Sequence, residues 1–118
     1  MYKLDSGSVI LVGRNNKEND ILTLKYAKKD DVWLHIKDMP GSHTIISRSD
    51  NSPVSDDDLY KAACVAAYYS KAKNSGKAAV DYTCIRNVKK PKGAKPGMVI
   101  YVNYNTLYVK PEDLSQQI

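Results

Sequence analysis

Apolar and polar positions alternate most regularly over residues 31–37. Val32, Leu34 and Ile36 fall on one face there, and Asp31, Trp33, His35 and Lys37 on the other. That period of two predicts a strand with one core face. The β-branched run over residues 8–12, closed by Gly13, predicts an earlier strand. Met39-Pro40-Gly41-Ser42 has turn chemistry, and the apolar pattern resumes over residues 43–48 as a further strand. If the turn closes a hairpin, Thr44, Ile46 and Arg48 come to lie beside Trp33, His35 and Lys37. Residues 78–85, 98–102 and 106–109 read as three more strands, the last two joined at Asn103-Tyr104-Asn105.

Between these runs the period lengthens. After the polar cluster 14–18, Asn19 is placed to cap a helix whose first turn holds Asp20. Ile21, Leu22, Leu24 and Tyr26 would face inward, and the helix would end near Asp30. Ser55, followed three residues later by Asp58, resembles a capping box, and Asp56, Asp57 and Asp58 suit the positive end of a helix dipole. Leu59, Ala62, Ala63, Ala66 and Tyr69 recur at helical spacing, Lys71 and Lys73 fall toward the end, and Gly76 is the expected stop. The alanines predict a helix that packs closely on a sheet. The order β-α-β-β-α-β-β-β, without an internal repeat, predicts one α+β domain over 1–118: a mostly antiparallel sheet with two helices.

Overall composition adds little to this, but the placement of charge adds a great deal. The chain has 118 residues, 42% hydrophobic and 26% charged, with a net charge of +5. Residues 1–70 hold 9 Lys/Arg against 10 Asp/Glu, whereas residues 71–95 hold 8 against the single Asp81. The positive excess is therefore concentrated in one stretch, the footprint expected for a polyanionic partner. Its densest part, residues 86–97, carries Arg86, Lys89, Lys90, Lys92 and Lys95 among two prolines and two glycines. This composition predicts an extended segment whose lysines follow phosphates. The competing reading is a solvated basic loop without a partner. No apolar run is long enough to span a membrane, the first residues lack the apolar core of a secretory signal, and two cysteines cannot staple a domain of this size. A reducing cytoplasm is the expected compartment.

Two further groups carry candidate chemistry. Trp33, His35 and Lys37, projecting from one sheet face, would stack on bases and pair with phosphates; the alternative is that helices cover both faces and Trp33 is core. The turn at Ser42 and His43, and Arg14-Asn15-Asn16 after Gly13, offer backbone and side-chain donors to a phosphate, although ordinary turns have the same composition. Enzyme signatures are lacking: there is no G-x-S-x-G, Walker loop or H-E-x-x-H. Ser42 and His43 are strand neighbours that point apart. Cys64 and Cys84, with only two histidines, lack zinc-ligand spacing and read as small buried hydrophobes. A non-catalytic domain without metal or cofactor is expected.

Six stretches in order resemble one family: Val12-Gly13-Arg14-Asn15-Asn16; Asn19-Asp20-Ile21-Leu22-Thr23; Asp31-Val32-Trp33-Leu34-His35; Lys37-Asp38-Met39-Pro40-Gly41-Ser42-His43-Thr44; Ala66-Ala67-Tyr68-Tyr69-Ser70-Lys71; and Val88-Lys89-Lys90-Pro91-Lys92-Gly93-Ala94-Lys95-Pro96-Gly97. Together they are similar to the NFACT-R module of the RqcH, or fibronectin-binding protein A, family of bacterial ribosome-rescue factors. The likeness covers nearly all of residues 8–111. It departs at Asp5-Ser6-Gly7, where the family usually shows Ser-Asp-Gly. In the longer members this module ends a chain with several other domains. The resemblance therefore implies binding to tRNA and the large ribosomal subunit, next to other domains of a full-length protein that recruits alanyl-tRNA for alanine tailing. By the same resemblance Trp33, His35, Lys37, Ser42 and His43 match the central signature, and Lys89, Lys90, Lys92 and Lys95 the basic segment; Arg48 and Arg86 flank them. The older family name implies a different partner, fibronectin.

Overall fold

The computed structural model describes residues 1–114. The elements are β1 (Tyr2–Lys3), β2 (Val9–Val12), α1 (Asn16–Asp20), β3 (Val32–Ile36), β4 (Thr44–Ser47), α2 (Asp56–Tyr68), β5 (Ala78–Cys84), β6 (Val88–Lys89), β7 (Ile100–Tyr101) and β8 (Asn105–Val109). Six strands form one sheet in the order β1-β2-β4-β3-β5-β8, every neighbour antiparallel. The remaining two, β6 and β7, pair with each other. The α+β class and the predicted order hold, with the two-residue strands β1 and β6 added. β1 reaches β2 through a turn at Asp5-Ser6-Gly7, where Gly7 takes a φ of +93° that a side chain would oppose.

The strand register divides the sheet into two unlike faces. Leu34, Ile36, Ile46, Val80 and Ile10 pack beneath α2. Every residue of α2 from Ala62 to Ala67 is buried, because alanines allow the helix backbone to sit close on the strands. Ser55 caps the helix by accepting from the Asp58 amide at 3.1 Å, as its sequence predicts. The helix ends at Tyr68, well before Gly76. There the chain is captured by the turn after β3: the Ser42 amide donates to the Tyr69 carbonyl at 3.0 Å, and Gly41 bridges Ser70.

The opposite face holds a second cluster of Trp33, Ile45 and Val88, flanked by Leu22, Ala27, Ile85, Val99 and Tyr101. Trp33 stands opposite Ile45, and Thr44 opposite Leu34. The expectation that Thr44, Ile46 and Arg48 lie beside Trp33 is thereby corrected: the hairpin register is one residue away, which in a strand reverses the face.

The first helix also differs from its sequence pattern. Asn15, not Asn19, caps it, accepting from the Glu18 amide at 2.8 Å. α1 continues as a π-helical stretch, Ile21–Tyr26, closed by the Ala27 amide on the Leu22 carbonyl. The wider turn exposes Ile21, Leu24 and Tyr26, which periodicity placed inward, and turns Thr23 into the interior.

Candidate nucleic-acid interface

Trp33 is 1% exposed. Its ring stacks on His35 (centroids 5.7 Å apart, planes 5° from parallel), meets His43 edge-on at 5.3 Å and lies 4.7 Å from Tyr101. Trp33 is thus core, although the layer over it is not built of helices alone. The π-helical stretch and the β6–β7 pair cover this face, so Trp33 is no free platform for a base. Its Nε1 is buried without an acceptor among the described residues.

The two imidazoles beside it are held rigidly. His43, 2% exposed, makes a 3.0 Å hydrogen bond from Nε2 to the Gly97 carbonyl and a 2.7 Å bond between Nδ1 and the Thr23 hydroxyl. A carbonyl only accepts, so Nε2 carries the proton and Nδ1 accepts from Thr23. Burial, reinforced by the neighbouring His35, pushes the His43 pKa down from 6.5 to about 4. Burial likewise lowers that of His35, whose Nδ1 lies 2.6 Å from the Ile36 carbonyl. Both rings are neutral at physiological pH. The His43 amide donates to Asn19 Oδ1, and Gly13 is required alongside, since a Cβ there would stand 1.9 Å from that oxygen.

Two carboxylates hold the remaining walls, and sequence reasoning singled out neither as a site residue. Asp81 is buried and accepts from the Tyr101 hydroxyl at 2.6 Å, the Thr106 hydroxyl at 2.7 Å and Lys37 Nζ at 3.5 Å. Burial and this hydrogen bond raise the Tyr101 pKa. Lys37 also lies over the Tyr104 ring, 5.0 Å from its centroid. The available signal was that Asp81 is the lone acid in the basic stretch. Asp20 accepts from the Gly97 amide at 3.0 Å and pairs with Lys90 at 3.2 Å.

The basic segment is accordingly a docked loop and not a free extended strand. It begins with a 3-10 turn, Ile85–Asn87, then forms β6. Lys90 is its anchor: besides Asp20, its ammonium donates to the carbonyls of Lys95 at 2.6 Å and Met98 at 3.3 Å. Three acceptors use all three ammonium protons, so Lys90 is corrected from a phosphate ligand to an internal strut. Lys89, Lys92 and Lys95 remain exposed.

Other expected contacts are placed apart. Arg48 donates to the carbonyls of Asn51 and Ser52, and both Arg48 and Arg86 pair with Asp30. Asp30 and Arg48 border a different cavity, over Val32 and Leu59, so Arg48 is corrected to a structural residue. The amides of Ser42 and His43 are engaged by Tyr69 and Asn19, so that turn does not present them to a phosphate. Asn15 is occupied as the cap of α1, whereas Arg14 and Asn16 are exposed, Asn16 against Gly97 of the loop.

Where loop, α1 and the β3–β4 turn meet, a cavity of about 640 Å³ opens. Trp33, His35, His43 and Tyr101 line its inner part, and Pro40, Pro96 and Met98 are among the residues of its wall. Exposed Lys92 and Lys95 stand on the loop that forms one side.

Residues 1–103 match the family model described as the NFACT protein RNA binding domain. The chain is 50% identical over 111 residues to the Rqc2 homolog RqcH of Bacillus subtilis, covering 94% of this chain and 19% of that protein. It is 47% identical over 109 residues to the Rqc2 homolog RqcH of Streptococcus suis, covering 92% and 19%. Among solved structures it is similar to the C-terminal of the fibronectin/fibrinogen-binding protein from Streptococcus suis. That match has a TM-score of 0.85 and 46% identity, over 92% of this chain and 43% of the other. The chain thus spans about a fifth of the length of the curated relatives it matches.

Proposed function

The chain belongs to the NFACT protein RNA-binding domain family, and from that premise we propose that it is a non-catalytic module that binds tRNA or large-subunit ribosomal RNA. In this reading it serves a longer cytoplasmic ribosome-quality-control factor. Other domains of that factor share in recruiting alanyl-tRNA to stalled large subunits for C-terminal alanine tailing. The observation that carries the reading is the placement of Lys89, Lys92 and Lys95, exposed on a loop that Lys90 and Asp20 hold against α1. A cationic surface fixed in shape loses little conformational freedom when phosphates bind. The counterions released from the polyanion then drive association.

Labelled tRNA titrated at two salt concentrations tests this. Between about 50 and 200 mM salt the affinity should fall on the order of tenfold or more. A second reading, adhesion to fibronectin, draws on the name of the streptococcal relative. Immobilised fibronectin provides the parallel assay. Retention on fibronectin together with salt-insensitive or absent tRNA binding would replace the RNA reading.

A further inference from the structure

The family description names RNA but no feature of it, and the lysines alone are blind to sequence and to strandedness. The cavity beside them is not. Its volume, about 640 Å³, lies inside the roughly 300–1,000 Å³ range of small-ligand clefts. Its aromatic members are set before any ligand arrives: Tyr101 is tied by its hydroxyl to Asp81, His43 is bonded at both nitrogens, and His35 is stacked on Trp33. Both imidazoles are neutral. His35 Nδ1 donates to the Ile36 carbonyl, and the Gly41 carbonyl is a second backbone partner that fixes the ring. Phosphate has no cation in the lining to pair with, and the exposed carboxylate there, Asp38, opposes an anion. A flat, uncharged heterocycle with polar edges does fit such walls. Cations stand just outside, with Lys95 directly preceding Pro96 of the wall and Lys92 three residues earlier.

We infer that this cavity receives one unpaired nucleobase of the bound RNA, while Lys92 and Lys95 hold the phosphates that flank it. The inference rests on the RNA-binding reading and adds to it a demand for an unstacked nucleotide, since bases inside a duplex cannot enter a cleft without leaving their stack. His35, Tyr101 and Met98 contact the base. His43 and Asp81 act at one remove, as positioning residues.

Trp33 is the only tryptophan and lines the cavity, so its emission reports occupancy directly. The test compares a short single-stranded RNA with an abasic oligonucleotide of the same length and charge, each followed by fluorescence anisotropy and by Trp33 emission. The base-bearing RNA should bind roughly fivefold to a hundredfold more tightly and alone shift the emission. Met98, 60% exposed at the cavity wall, is replaceable without loss of core. Met98→Ala and His35→Ala should therefore each lower affinity for the base-bearing RNA and leave the abasic one unchanged; thermal unfolding verifies that each variant is folded. Equal affinities with a silent Trp33 would overturn the nucleobase site and leave the RNA-binding reading standing on charge alone. Binding of neither oligonucleotide at low salt would overturn both.

Discussion

The two faces of the central sheet are built on different principles. Under α2 the contacts are aliphatic and alanine-mediated, and any small apolar residue of the right volume serves there. On the other face His35, His43 and Tyr101 are held by hydrogen bonds to named partners, Trp33 is held by the rings around it, and its indole N–H has no acceptor among the described residues. The first face contributes stability through buried area. The second contributes shape and polarity at the cost of directional bonds that must all be satisfied together. The two kinds of packing lie on opposite sides of the five-residue strand β3.

Breaking the aliphatic face should produce the largest effect. Leu34→Ala, under α2, should cost about 2–5 kcal/mol of stability, read as a lowered urea midpoint. RNA affinity per folded molecule should not change; a parallel loss of affinity at temperatures where the variant is fully folded would show that the faces are coupled.

Acid should act on the other face. His43 titrates at about 4 in the folded protein against an ordinary 6.5, so the unfolded chain binds more protons between those values. Stability should be complete above about pH 6.5 and fall as pH drops toward 4, by on the order of 3 kcal/mol. His35, lowered in the same direction, contributes with the same sign. His43→Gln should flatten this slope; an unaltered pH profile would mean that another group carries it.

Within the basic loop the same contrast can be sharpened. Lys90→Gln removes the charge that joins Asp20 to the loop carbonyls and should cost about 1–3 kcal/mol. Lys92→Gln, at an exposed position, should change stability by no more than about 0.5 kcal/mol yet lower RNA affinity and reduce the salt slope by about one. If the two variants proved alike in both assays, the division of this loop into a strut and free cations would be wrong.

The longer strands, the cap at Ser55 and the overall α+β order were legible because they follow from local periodicity and local hydrogen bonding, whereas the two-residue strands β1 and β6 were not. The basic stretch was legible from charge alone. The separate roles of its lysines were not: Lys89, Lys90 and Lys92 look alike in sequence, and only the approach of Asp20, seventy residues from Lys90, distinguishes the strut from its neighbours. Trp33 was ambiguous for a related reason. Alternation placed it opposite the aliphatic face but could not say whether a second layer covers it, since that layer comes from the π-helical stretch and from β6–β7, two short elements with weak periodicity. Asp81 and Tyr101 joined the site through pairings across strands. The sequence by itself determined which segments fold and where positive charge accumulates, because both are sums over neighbours along the chain. Tertiary structure alone decided which charges are neutralised and which aromatic rings meet, because those depend on distances between residues that the chain keeps far apart.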